Sequence, residues 1–307
     1  MTHDPARPFG RLLTAMVTPF AADGSLDVDG AAKLAAYLVD EQRNDALVIS
    51  GTTGESPTTT DAEKDTLLRA VVEAVGDRAQ VVAGVGTNNT AHTIELARAA
   101  EKAGAHGLLV VAPYYNKPPQ AGVARHLLAV ADAAGLPVMV YDIPHRAGIA
   151  IATETMCRIA EHERIVAVKD AKGDLAASSW VLARTDLAYY SGDDATTLPL
   201  LAVGGIGLVG TSTHFTGAQA QEMIRAYERG DVATALAVHQ RMLPMFTGIF
   251  RSPGTILVKA GLTVRGLPAG PVRSPLVDAS RAETDQLISD AAAAGLPLAP
   301  DTTEETA

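Results

Sequence analysis

The stretch GLLVVAPYYNKPPQAGVARHLLAVADAAGLPVMVYD, residues 107–142, decides the fold. It opens on an apolar run (107–113), turns through a Pro-rich segment, and enters a helical pattern that stops at Gly135. It then returns to a second apolar run (137–142). Two short apolar runs separated by one amphipathic helix read as parallel strands joined by a crossover. The same unit recurs outward in both directions. Further apolar runs stand at 12–20, 46–51, 80–86, 165–171, 187–194 and 205–212. Between them lie helical patterns such as DVDGAAKLAAYLVDEQ, TTTDAEKDTLLRAVVEAVG, which stops at Gly76, and TAHTIELARAAEKAG, which stops at Gly104. Eight runs in this alternation match a (β/α)8 TIM barrel in number and size. A doubly wound sheet would show fewer units and a Gly-rich phosphate loop after its first strand, whereas the first run here ends in TPF (18–20). Gly205, Gly207 and Gly210 do fit GxGxxG, but inside the eighth run rather than at a strand-to-helix turn. They read as glycines demanded by crowding at a barrel strand.

Past Thr213 the alternation stops. Segments 217–229, 231–246, 253–262 and 281–295 all read as helical, with no strand between them. The expected division is a catalytic barrel over 10–229, a small C-terminal helical appendage over 230–298, and a disordered tail over 299–307.

Composition narrows the function. The 307 residues are 47% hydrophobic and 20% charged, an ordinary globular balance, with aromatics at only 4%, so the core must be aliphatic. A net charge of −10 argues against nucleic acid as a partner but leaves room for anionic substrates, which a local arginine or a ring of backbone N–H groups can bind. The single cysteine, Cys157, cannot form an intrachain disulfide and reads as a small hydrophobe. No apolar stretch reaches the length of a membrane span, so a cytoplasmic protein is expected and the glycosylation match at Asn88 carries no weight.

In a TIM barrel the active site lies where the strands end at their C-terminal face. The runs deliver SGTTGES (50–56), APYYNKPP (112–119), VYDIPHRAG (140–148), VKDAKGD (168–174), SGDD (191–194) and VGTSTH (209–214) to that face. No histidine pair has metal-ligand spacing, and neither a metal nor a cofactor is expected. Lys169 stands out, because an ammonium in an apolar strand is costly unless it is paired, neutralised or used. The chain holds seven lysines against 18 arginines, which makes a mid-strand lysine less casual. Two uses stay open from the residues alone. Lys169 is a desolvated amine that attacks a carbonyl, or it is an ion-pair member with Asp170 or Asp194. Lys172 reads as solvated. Thr52 and Thr53 supply either a carboxylate nest or a helix N-cap. Tyr141 is either a proton relay or a buried phenol with a satisfied hydroxyl, and Arg146 either grips a second carboxylate or is a surface residue. Taken together they suggest a 2-keto acid bound as an imine that meets a second anionic carbonyl compound.

At these residues the sequence resembles the dihydrodipicolinate synthase/N-acetylneuraminate lyase family. TAMVTPF (14–20), GTTGESPT (51–58), PYYNKPPQ (113–120), YDIPHRAG (141–148) and VAVKDA (166–171) follow in the family's order, and the likeness runs to about residue 260. The resemblance implies that Lys169 forms a Schiff base with pyruvate, that Thr53 and its backbone bind the pyruvate carboxylate, and that Thr52 links Tyr141 to Tyr115 in a proton relay. It implies further that Arg146 holds the carboxylate of aspartate semialdehyde, and that the backbone near Val209, with Gly192, lines the pyruvate pocket. Tyr115 would enter the neighbouring subunit of a tight dimer, two of which make a homotetramer. The implied reaction is an aldol-type condensation of pyruvate with aspartate semialdehyde on the route to lysine and diaminopimelate. The alternatives are a sialic acid or 2-keto-3-deoxy sugar acid lyase and, from another class, a non-catalytic keto-acid sensor. Thr52 beside Thr53, where sialic acid lyases usually carry Ser first, and Arg146 favour the synthase; intact Lys169 and Tyr141 disfavour the sensor. The chain departs from the family at Asp142, where Asn is common, with little effect expected. The family's lysine feedback site maps to Ser56, Asp61, Lys64, Asn88, His92 and Tyr114. Lys64 would repel an ammonium and His92 offers no carboxylate, so weak or absent feedback is expected.

Overall fold

The computed structural model describes residues 7–298, and the expected tail at 299–307 lies outside the described residues. In chain order the elements are β1 (Leu12–Ala15), α1 (Val28–Asp40), β2 (Ala46–Ile49), α2 (Asp61–Val75), β3 (Gln80–Gly84), α3 (Thr90–Lys102), β4 (Gly107–Val111), α4 (Gln120–Ala133) and β5 (Val138–Asp142). They continue as α5 (Pro144–Ala147), α6 (Thr153–Ile159), β6 (Ile165–Asp170), α7 (Leu175–Leu182), β7 (Ala188–Ser191), α8 (Thr197–Ala202) and β8 (Gly207–Gly210). The chain then runs through α9 (Thr213–Glu228), α10 (Val232–Gly248), α11 (Gly254–Val264) and α12 (Arg281–Ala293). The eight strands close into a barrel in sequence order, β1 pairing with both β2 and β8, and all neighbours run parallel. This is the expected TIM barrel.

Strand alternation divides the core in two. Leu13, Val48, Val82, Leu109, Met139, Ala167 and Val209 face the barrel interior. Leu12, Leu47, Val81, Leu108, Val140, Val168 and Leu208 face the helices and form the larger apolar layer. Both faces are buried, which is why the strands read as unbroken apolar runs rather than as alternating ones. The helices start where the side-chain caps are: Asp27 caps α1, Thr60 with Glu63 forms a capping box on α2, and Asn89 caps α3.

The apolar runs extend past the strands at their C-terminal ends. The first run reaches residue 20, but β1 stops at Ala15; the seventh reaches 194, but β7 stops at Ser191. At this face the chain leaves the β ladder; after β7 the Asp193 N–H donates to Ser191 Oγ and the Ser191 hydroxyl to Asp193 O, within the turn rather than to a neighbouring strand. The short α5, α6 and α8 were not visible as periodic patterns, being too short to repeat an apolar stripe. The last barrel helix, α9, begins at Thr213, four residues before the expected start, because residues 213–216 are buried polar and aromatic side chains rather than an amphipathic turn. Gly205, Gly207 and Gly210 are steric: a Cβ at Gly207 would lie 2.0 Å from Arg11 O, and one at Gly210 2.5 Å from Thr213 Cγ2. Among the described residues no helix is long and apolar enough to cross a membrane, and no cluster of His, Cys, Asp or Glu has the makings of a metal site.

Candidate active site

Alternation along β6 turns Ala167 and Lys169 inward and Val168 and Asp170 outward. Lys169 is 5% exposed. It lies beside Tyr141 in the β5–β6 register, and its Nζ sits 4.4 Å from the centre of the Tyr141 ring. Neither acid offered by the sequence pairs with it. Asp170 turns outward, where it accepts from the Ser178 hydroxyl and from the Lys172 N–H at 2.9 Å. Asp194 is wholly buried and accepts from Thr211 N–H at 3.2 Å, Ser212 N–H at 3.0 Å and Ser212 Oγ at 2.5 Å. Desolvation therefore dominates and pulls the Lys169 amine from 10.5 down to about 8; the Asp194 charge opposes this and the Arg146 charge adds to it. Of the two uses left open, the ion pair is absent among the described residues, and an amine that is readily neutral stands in its place.

Gly192, at the end of β7, is the floor under this amine. A Cβ there would lie 3.1 Å from Lys169 Cγ and 3.0 Å from Ala171 Cβ. Tyr141 is 5% exposed, and burial holds its phenol above the usual range against a smaller opposing pull from Arg146. It is thus a neutral O–H donor at any ordinary pH. Arg146 sits in the last turn of α5, exposed at the mouth and without a carboxylate partner among the described residues.

The SGTTGES loop does not cap a helix: α2 begins at Asp61, and Thr60 caps it. The loop is instead a tight irregular turn with Ser50 and Glu55 left-handed, φ +58° and +57°. The hydroxyls of Thr52 and Thr53 have no hydrogen-bond partner among the described residues and face open space. Thr52, Thr53, Tyr141, Arg146, Lys169 and Gly192 line one cavity of about 540 Å³. A second cavity, of about 770 Å³, lies on the other side of Thr52, Tyr141 and Arg146, and Tyr115 joins them there. Tyr115 is 87% exposed, with φ +71° and its N–H on Ala147 O at 3.1 Å.

Several expectations need correction. Val209 is completely buried in the barrel interior, beside Leu13 in register, and does not line the cavity; Thr211, just past β8, does. Lys172 is not solvated: its Nζ is 3.8 Å from Asp142 Oδ2, with 18% of its side chain exposed. Asp142 points outward, away from the relay, and accepts from Ile151 N–H at 3.2 Å. Burial pushes its carboxyl up to about 6. Ser56 and Tyr114 line the 770 Å³ cavity, whereas Asp61 and Lys64 line a cleft of about 180 Å³ between α2 and α3. His92 Nε2 is 2.9 Å from Asp61 Oδ2, Lys64 donates to Thr59 O at 2.5 Å, and Asn88 O accepts from Asn116 at 2.7 Å.

Sequence reasoning missed the far wall. Phe246, Phe250, Thr255 and Leu276 of the C-terminal segment line the 540 Å³ cavity. One signal for this region was present: TILVKAG (255–261) buries a lysine in an apolar run just as IVAVKDA does.

Comparisons with known proteins point the same way. Residues 8–294 match the model of the dihydrodipicolinate synthetase family. The chain is 71% identical over 288 residues to the 4-hydroxy-tetrahydrodipicolinate synthase of Acidothermus cellulolyticus, covering 94% of this chain and 93% of that one. It is 63% identical to 4-hydroxy-tetrahydrodipicolinate synthase 2 of Streptomyces coelicolor, covering 97% and 99%. Among solved structures it resembles that of DHDPS from Cyanidioschyzon merolae with lysine bound, at TM-score 0.92 and 43% identity, covering 94% of this chain and 99% of that one.

Proposed function

This chain belongs to the dihydrodipicolinate synthetase family, and from that premise we propose that it is a 4-hydroxy-tetrahydrodipicolinate synthase, a lyase that condenses pyruvate with aspartate semialdehyde. The observation that carries the reading is the buried, unpaired amine of Lys169, lowered to about 8 and laid against Tyr141. The neutral amine attacks the keto carbon of pyruvate; water leaves and an imine forms. Loss of a methyl proton gives the enamine, whose carbon attacks the aldehyde of the semialdehyde. The amino group of the acceptor then closes on the imine carbon and releases Lys169.

Each step needs protons delivered and charges held. Tyr141, kept neutral by burial, donates and recovers protons at the imine; Thr52 and Tyr115 extend that path outward. The Thr53 hydroxyl and the N–H groups of its turn hold the pyruvate carboxylate. Arg146 has no internal carboxylate to occupy it, so its planar fork is available for the carboxylate of the semialdehyde. Gly192 leaves room for the reacting carbon beside Lys169.

The exposure of Tyr115 supports a tight dimer in which it enters the neighbouring site, and two such dimers would form a homotetramer. Residues 10–229 act as the catalytic barrel, and 230–298 as an appendage. The protein works in the cytoplasm. Lysine inhibits it weakly or not at all, since Lys64 adds a positive charge to the mapped site and His92 is taken up by Asp61.

Reduction with borohydride in the presence of pyruvate, followed by peptide mapping, tests the chemistry. An adduct on Lys169 is expected; none, or one on Lys172, sinks the imine mechanism. Consumption of aspartate semialdehyde by the same protein then separates a synthase from another pyruvate aldolase. Lysine titrated into that assay should change the rate little.

A further inference from the structure

The loop that carries Thr52 and Thr53 is held from outside the barrel. Left-handed backbone at Ser50 and Glu55 persists only where the surroundings over-determine it, because an L side chain crowds the main chain there. One restraint comes from within the barrel: Thr18 Oγ1 donates to Gly54 O at 2.6 Å. The others come from the C-terminal segment. Thr255 Oγ1 donates to Thr53 O at 3.0 Å. Lys259 Nζ lies 2.7 Å from Glu55 Oε1, with both side chains almost completely buried. The Arg273 N–H donates to Glu55 Oε2 at 2.8 Å.

Thr255 and Lys259 are four residues apart on α11 and so share one face of it. Lys259 is itself fixed at its tip. It donates to Pro271 O at 2.7 Å and lies 4.2 Å over the Phe20 ring. A buried pair of this kind is poor at stabilising a fold compared with well-packed apolar side chains, but it holds geometry tightly. The loop it holds is the one whose N–H groups must point at a carboxylate.

We propose that α11 is a positioning element for the active site: Thr255 and Lys259 clamp residues 53–55 in the shape that binds the keto-acid carboxylate. This rests on Thr53 binding that carboxylate, as argued above. The helical appendage is then part of the catalytic machinery rather than a passive cover.

The test uses the full-length protein carrying Thr255→Val, Thr255→Ser, or Lys259→Met combined with Glu55→Gln. The readouts are steady-state constants for each substrate, the pyruvate dependence of borohydride trapping on Lys169, and amide exchange across residues 50–56. Thr255→Val should raise the half-saturating pyruvate about fivefold, and the double variant about tenfold or more, the scale of one to two lost hydrogen bonds. The KM for aspartate semialdehyde should stay within about twofold, Thr255→Ser should restore the wild-type value, and exchange at 50–56 should quicken in Thr255→Val and in the double variant. Variants that melt earlier yet keep the wild-type pyruvate dependence and exchange would overturn the proposal and leave α11 a structural support. If the wild type traps no pyruvate, the reading of Thr53 fails by itself, while the exchange data still decide whether α11 holds the loop.

Discussion

Lys169 and Lys259 stand in nearly the same sequence, at the end of IVAVK and of TILVK, and are buried almost equally, 5% and 2% exposed. Desolvation is the largest influence on both amines and lowers both. What separates them is one carboxylate at contact distance. Glu55 lies 2.7 Å from Lys259 and opposes that lowering, whereas the acids near Lys169 are all turned to other donors. Lys259 is therefore an anchor and Lys169 a nucleophile. Burial alone does not make a reactive amine; burial with the counter-ion withheld does.

The largest effect should come from removing the unpaired amine. Lys169→Ala is expected to lower kcat by at least about 10⁴-fold, as loss of a covalent nucleophile does, and to abolish borohydride trapping. A variant keeping more than a hundredth of the activity would end the contrast between the two lysines. Removing the paired amine should act on stability instead. Lys259→Met strands a buried Glu55 carboxylate and should cost about 3–5 kcal/mol in denaturant unfolding. Adding Glu55→Gln should recover most of that loss; equal stability of the single and double variants would mean that the pair is not coupled.

The pH dependence sharpens the comparison. Activity needs the neutral Lys169 amine, so kcat/KM for pyruvate should fall about tenfold per pH unit on an acid limb centred near 8. A limb above 10 would show that Lys169 is not desolvated in solution. Stability carries the same information with its own sign. The folded-state value, about 8, lies below the ordinary 10.5. The unfolded chain therefore holds the proton more tightly between these values, and stability rises with pH across that window. Below pH 8 the buried ammonium is a full penalty, so Lys169→Met should stabilise the protein at pH 7 by up to about 3 kcal/mol. That gain should fade as pH approaches 10.5, and a destabilised Lys169→Met at pH 7 would contradict the assignment.

The smallest expected effect concerns an acid that is near in sequence but faces the other way. Asp142 has its carboxyl raised from 3.8 to about 6 by burial, so its ionised form penalises the fold above pH 6 and the penalty vanishes below pH 4. Asp142→Asn should add about 1–2 kcal/mol of stability above pH 7, add nothing below pH 4, and leave kcat within about twofold. A large loss of activity would show that Asp142 reaches the relay despite pointing outward.

Much of the site was legible because a parallel strand transmits sequence into space simply. Lys169 and Tyr141 occupy matching positions near the ends of neighbouring strands, so the placement of each run at the barrel mouth brought them together. The Thr52–Thr53 turn was legible as polar residues following an apolar run, though not its shape: the N-cap alternative turned on where α2 begins, and that is set by the Thr60–Glu63 capping box. Lys172 was misread for a related reason. Its neighbours in the chain are small and polar, but its partner Asp142 comes from the adjacent strand. Glu55, Thr255 and Lys259 were not brought together, since their contact spans about two hundred residues of chain.

The sequence by itself determined the barrel, through eight apolar runs separated by capped amphipathic helices, and the strand ends that carry the chemistry. Those signals are local, written within one strand or one helical turn. Only the tertiary structure decided which buried lysine is free to react. A charge's partner is settled by distances of a few ångströms between segments remote in the chain, and at that range one carboxylate turned toward an amine opposes what burial does to it.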